Sequence, residues 1–250
     1  MSDPFWGPEL KIKRAYQHIL DFKAIVDQAI ADNSGGGFVS SPTGGVIAVR
    51  FPEHTPTILG DAIHNLRAAL DHLYCILIQV NGGTPGDYSR FPFMKSKEDL
   101  KATLKGQKKI GLAPSDKVCG IIVDDVQPFP GGQTRLYDLH RLDITDKHMT
   151  LLPVTGLMKL PNATFFDKAG KVTHRLSGGP SFVMRYDQSG KGLMRLPDAH
   201  SVRYDNDEKC TFQIRFAESQ PLAGEDILTA LTQLHKIVGS VTHLLTKAAT

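Results

Sequence analysis

Residues 57 to 80, TILGDAIHNLRAALDHLYCILIQV, place apolar side chains at Leu59, Ile63, Leu66, Leu70, Leu73, Leu77 and Val80, in alternating steps of four and three. That spacing is the seam of a helix that buries one stripe against partner helices. Thr55 and Pro56 offer an N-cap and a first helical residue, and Gly82 with Gly83 stops the run. Some 25 residues at ~1.5 Å each make a rod of roughly 37 Å, long for a globular helix, and the rest of the chain is placed around it.

Off that seam stand Asp61, His64, Asn65, Arg67, Asp71 and His72. At ~100° per residue, Asp61, Asn65 and His72 share one narrow sector, with His64 and Asp71 in a neighbouring one. Arg67 reaches Asp71 across one turn as a local ion pair. One reading is a solvated face with local pairs. The other is a site, because exposed helix faces favour Glu and Lys, whereas Asp, Asn and His form helices less well. Two imidazoles, two carboxylates, an amide and a guanidinium within about three turns can hold an anion or move protons.

Around the rod, residues 9–31 read as a first helix carrying Ile12, Tyr16, Ile19, Leu20, Ile25 and Ile30, ended by Asn33-Ser34-Gly35-Gly36-Gly37. Val46 to Phe51 reads as a short strand closed by Pro52. Phe91-Pro92-Phe93 is an extended anchor, and Ser96 to Asp99 resembles a capping box opening a helix to about Leu104. A helix over 114–126 turns Val118, Ile121, Ile122 and Val126 inward. Another from Thr134 to about Thr150 buries Leu136, Leu139, Leu142 and Met149, and its last turns are dense in polar groups from Asp143 to His148. From 151 to 217 the period changes to two, with turn signals at 167–170, 187–190 and 205–207. The clearest strand is Cys210 to Phe216, alternating as in a sheet with one wet face. A last helix, 225–247, sets Ile227, Leu231, Leu234, Val238, Val241 and Leu245 at heptad steps.

The expected fold class is therefore α+β. Four long helices at 9–31, 57–80, 134–149 and 225–247 form a bundle, with a β-rich antiparallel insertion before the C-terminal helix. One domain is expected over 1–250, with the bundle at 9–149 plus 224–248 and the insertion at 150–217.

Several function classes fall away. A net charge of +3 is too small to argue for nucleic acid by itself, although 150–217 holds ten basic residues against six acidic. No stretch nears 18 uninterrupted apolar residues and the N-terminus lacks an apolar core, so neither membrane spanning nor standard secretion is expected. Cys75, Cys119 and Cys210 are far apart, without metal spacing, and read as buried thiols in a reducing cytoplasm. Gly35-Gly36-Gly37 and Gly44-Gly45 neither follow a strand nor open a helix, and Gly-x-Ser-x-Gly is absent. His64, His72, Asp61 and Asp71, with Asp146 and His148, are ligands of the type zinc or iron takes. No His-Glu-x-x-His or Glu-x-x-His pair accompanies them, and Arg67 sits in their midst, so no metal or other cofactor is expected.

The run from Gly60 to Leu73, GDAIHNLRAALDHL, together with Asp146-Lys147-His148, resembles a group of bacterial proteins sharing an HNLRxALDHL … DKH pattern and carrying no established activity. More loosely, Arg67 to His72 is similar to the Arg-x4-His signature of HEPN domains, helical bundles many of which are metal-independent ribonucleases acting as dimers. That resemblance implies an RNA partner and a homodimer. It casts Arg67 as the group holding the scissile phosphate and His72 as the acid–base group for attack by the 2′-hydroxyl. Asn65, His64 and Asp71 would orient them, with Asp61, Asp146, Lys147 and His148 completing the site. The rival readings are a non-catalytic interaction module in which the same polar set fixes helix register, and a metal-dependent bundle enzyme.

Overall fold

The computed structural model describes residues 4–32, 38–41, 44–148, 154–159, 162–177, 181–185, 191–204, 211–217 and 219–250. The chain is an α+β protein with small antiparallel sheets. Its helices are α1 (Trp6–Asp32), α2 (Thr55–Val80), α3 (Lys97–Lys109), α4 (Asp116–Ile121), α5 (Thr134–His148) and α6 (Ile227–Ala249). The strands are β1 (Phe38–Ser41), β2 (Gly44–Arg50), β3 (Val154–Lys159), β4 (Ala163–Phe166), β5 (Val172–Leu176), β6 (Ser181–Arg185), β7 (Lys191–Pro197), β8 (Ser201–Tyr204) and β9 (Thr211–Phe216). Two compact units form, one from Met1–Ile19, Leu59–Leu151 and Thr229–Thr250, the other from Leu20–Ile58 and Leu152–Leu228.

α2 buries its expected seam from Leu59 to Leu77, and adds Ala62, Ala69, Tyr74, Ile76 and Ile78. Apolar burial around so much of the circumference marks a central helix. Val80, expected on the seam, is half exposed in the last turn. Thr55 lies inside the helix rather than capping it, its hydroxyl donating to the Pro52 carbonyl at 2.7 Å. In α1 the buried stripe is Ala15, Ile19, Phe22, Val26 and Ala29, while Tyr16 and Leu20 are exposed. Of the expected set only Ile19 is on the true seam, which begins and ends in alanines that carry too little apolar area to mark a stripe in the sequence. Leu136, Leu139 and Leu142 of α5 are buried as expected, as is the α6 series from Ile227 to Leu245. Met149 lies outside the described residues.

Ser96 caps α3, its hydroxyl accepting the Asp99 amide at 3.1 Å, and the helix runs past Leu104 to Lys109. α4 ends in a π-helical turn over Ile122–Val126. The wider turn advances the phase, so Val123 is buried and Ile121 only half-buried.

Among the described residues of the second unit three sheets form, with strand orders β1-β2-β7, β6-β3-β9 and β5-β4-β8. The strand expected at 46–51 is β2, and it pairs antiparallel with β7, Ile47 opposite Met194. The expected insertion over 150–217 is thus joined by β1 and β2 from the N-terminal part of the chain. The Phe38 and Phe165 rings meet at 5.7 Å between centroids, linking β1 to β4. A side chain at Gly45 would collide with the Phe38 ring, so glycine is what lets that ring lie over β2. In β9, exposed Gln213 precedes buried Ile214, with Phe216 buried two residues on. The turn at 167–170 is closed by the Asp167 carboxylate, which accepts the amides of Ala169 and Lys171 at 2.8 and 2.9 Å. The turn signals at 187–190 and 205–207 lie outside the described residues. Among the described residues no helix is long and apolar enough to cross a membrane.

Candidate functional site

The polar face of α2 and the polar face of α5 meet. Gly60 makes the approach possible, since a β-carbon there would lie 2.6 Å from Asp146 Oδ2. One turn on, His64 Nδ1 lies 3.0 Å from Asp143 Oδ1, and Lys147 Nζ donates to Asp143 Oδ2 at 2.7 Å. The Asp143 side chain is only 6% exposed, whereas that of His64 is 47% exposed. A buried carboxylate held on both oxygens orients the imidazole, and with Nδ1 donating to it the neutral ring keeps Nε2 as its acceptor nitrogen.

Asp146 completes this group. Burial pushes its carboxyl above the usual carboxylate range, helped by the neighbouring negative charges of Asp143 and Asp61. Its Oδ1 is buried without a hydrogen-bond partner among the described residues. Asp61 is exposed, and its carbonyl accepts the Asn65 side-chain amide at 2.8 Å, so Asn65 is spent on its own helix. His148 closes α5, and its side chain lies outside what is described.

Arg67, 4% exposed, belongs to a drier layer next to it. It forms an ion pair with Asp71, donates from Nε to His140 Nδ1 at 3.4 Å, and stacks its guanidinium 4.4 Å from the Phe93 ring centroid. Phe93 and His140 are stacked at 4.9 Å. Asp71 Oδ1 also accepts the Phe91 amide at 2.8 Å. Burial and the Arg67 charge push the His140 imidazole down to about 4, so it is neutral at pH 7.

His72 has other company. At ~100° per residue it lies about 140° around α2 from Arg67. Its ring packs on Gly7 of α1, where any side chain would collide with it. The structure therefore brings Asp61, His64, Asp143, Asp146 and Lys147 together, and Arg67 with Asp71 beside them, but gives Arg67 and His72 different neighbours. Among the described residues, which leave out the His148 side chain, no three His, Cys, Asp or Glu side chains are placed to share a metal ion. Lys147 already occupies Asp143 Oδ2.

Asp143, His140 and Phe93 were not among the expected site residues. A signal for the first two exists in the sequence. His140, Asp143 and Lys147 recur at helical spacing beside the leucine stripe of α5, matching His64, Arg67 and Asp71 beside that of α2. Phe93 lies in an irregular segment, where no period points to a partner. No family model matches the chain, and no curated protein or solved structure does either.

Proposed function

We propose that the α2–α5 face is the acid–base centre of a HEPN-like, metal-independent RNA-processing protein, with His64 in place of His72 as the working imidazole. The observation that carries this reading is the His64–Asp143 contact, an exposed imidazole oriented by a buried carboxylate. In the reaction His64 Nε2 takes the proton of a 2′-hydroxyl, and the 2′-oxygen attacks the adjacent phosphorus. The departing 5′-oxygen takes its proton from water, leaving a 2′,3′-cyclic phosphate and a 5′-hydroxyl. Arg67 positions the site from behind rather than touching RNA.

The same reading carries a bundle of α1, α2, α5 and α6, a cytoplasmic setting and a homodimer. Supporting the bundle are the His72–Gly7 contact of α2 with α1, the Tyr16–His235 ring contact of α1 with α6 at 5.1 Å, and the α2–α5 seam. Supporting the cytoplasm are the free thiols of Cys75 and Cys119.

The test is cleavage of labelled single-stranded RNA by the purified protein, with DNA of the same sequence as the substrate lacking the nucleophile. His64→Gln is expected to lower the rate by about 10²–10⁴. His72→Gln should leave it within a few-fold, and sedimentation should read two chains per particle. Equal rates for wild type and His64→Gln would remove His64 from the chemistry. A second reading, the non-catalytic module, is favoured by the burial of Arg67 in the Asp71, His140 and Phe93 layer. Wild-type protein that neither binds nor cleaves RNA would leave that reading in place.

A further inference from the structure

The charge of this chain is concentrated where the periodicity of its helices gives no hint of it. Residues 95–109 hold Lys95, Lys97, Lys101, Lys105, Lys108 and Lys109 against only Glu98 and Asp99, a net of +4 that exceeds the +3 of the whole chain. All six lysines precede or lie on α3, whose buried Leu100 and Leu104 lie ~100–180° around the helix from Lys105 and Lys109 and closer to Lys97 and Lys108. Lys97, Lys101, Lys105 and Lys108 fall within about 80° of one another around the helix, and the first three recur at ~6 Å along its axis. Lys97 and Lys108 are already tied to Asp124 and Asp116, at 2.8 and 2.6 Å. Lys97, with Lys101 near it, holds the Asp124 carboxyl below the usual carboxylate range. Lys105 and Lys109 are exposed and make no ion pair among the described residues. Gly106, between them, has open space above it.

We propose that this lysine row is the surface along which a single RNA strand lies, its phosphates neutralised one after another by Lys101, Lys105 and Lys109. The proposal rests on the reading of the protein as acting on RNA, and adds where the strand runs. A row of like charges at a regular step fits a polyanion whose own charges recur, rather than one compact anion. α3 also belongs to the same compact unit as the His64 site. Its Gln107 accepts a hydrogen bond from the Tyr74 hydroxyl, ten residues or ~15 Å along α2 from His64. A strand on α3 would therefore pass within a few nucleotides of the acid–base group.

Fluorescence anisotropy with a labelled single-stranded RNA reads this directly, on the full chain at a series of salt concentrations. Replacing Lys101, Lys105 and Lys109 together by Gln should weaken binding at least ten-fold. It should also flatten the slope of log K against log salt by about 2, at roughly 0.7 per phosphate contact for a single strand. Lys236→Gln with Lys247→Gln, exposed positions on α6, removes two charges elsewhere and should change neither. If wild type binds RNA and the triple variant matches it in affinity and slope, the lysine row is overturned while the RNA reading survives. Wild type that binds no RNA overturns both. Vesicles containing anionic lipid are the remaining arm: wild type that binds them in the same assay more tightly than RNA, with the triple variant losing that binding, makes the row a membrane contact and overturns the proposal. Circular dichroism of the triple variant checks that α3 still forms.

Discussion

Arg67 Nε donates to His140 Nδ1 at 3.4 Å, so the imidazole meets the guanidinium with its lone pair. A proton on that nitrogen would set cation against cation in a buried layer, and this, after burial itself, is why His140 is held down to about 4. In the unfolded chain the same imidazole titrates near 6.5. Between the two values the unfolded state binds more protons, so stability rises with pH through that window. The contribution is complete above about pH 6.5 and is lost as pH falls toward 4, by about 3 kcal/mol at most given the partial exposure of the ring. His140→Gln keeps an acceptor for Arg67 but cannot titrate. Urea unfolding at pH 4.5 and 7 should show a smaller drop for the variant than for wild type, and equal drops would mean the acid sensitivity arises elsewhere. At this scale the sequence showed the right residue types but not their pairing. Arg67 and Asp71 were legible as an i,i+4 pair. His64 with Asp143 was not, because 79 positions separate them and local spacing is silent on which face of α5 turns to α2.

Between elements, Asp71 fastens an irregular segment to a regular one. Its Oδ1 accepts the Phe91 amide while the same carboxylate faces Arg67. Phe91 then packs edge-on to Tyr74 at 6.2 Å and against Phe93 at 5.1 Å. A buried amide left without its acceptor costs about 1–3 kcal/mol, so Asp71→Ala should loosen this segment before it loosens α2. The Phe91 amide is expected to exchange with solvent at least ten-fold faster in that variant, by roughly RT ln 10 or ~1.4 kcal/mol of lost local protection. Asp71→Asn, which retains an acceptor oxygen, should keep much of the protection. Unchanged exchange in Asp71→Ala would show that the aromatic packing alone holds the segment. The burial of the anchor was legible, since Phe91 and Phe93 are large apolar rings; its shape was not, because the Phe93 amide donates back to the Phe91 carbonyl at 3.0 Å and closes a tight turn at Pro92. The start of α3 was legible through Ser96 and Asp99, but not its end: Gly106 interrupts the pattern, and the last five residues, roughly a turn and a half, carry no apolar marker.

For the molecule as a whole, the least legible feature is that β2 belongs with β7. Val46 to Arg50 read as a strand on its own, yet nothing local could name a partner almost 150 residues away, and β1 was hidden between glycines and serines. Helix seams repeat within a few residues and can be read in one window; strand pairing is a long-range choice made by the fold. The pairing has a consequence that can be measured in the intact chain. β2 is the middle strand of its sheet, hydrogen-bonded to β1 on one side and to β7 on the other. β7 has no other ladder partner among the described strands. A proline in β2 removes a ladder donor and distorts the central strand, and the two strands left over cannot pair with each other across the gap. In Ala48→Pro, amides of both β1 and β7 should therefore lose protection together, although 150 residues lie between them, because an isolated strand or two-stranded ribbon is marginal in water. Amides of α2 and α5 should stay protected, since their burial depends on the leucine seams and the His64–Asp143 contact rather than on this sheet. Hydrogen exchange read by mass spectrometry separates the cases: β7 peptides that keep wild-type protection in the proline variant would mean that β2 does not hold them.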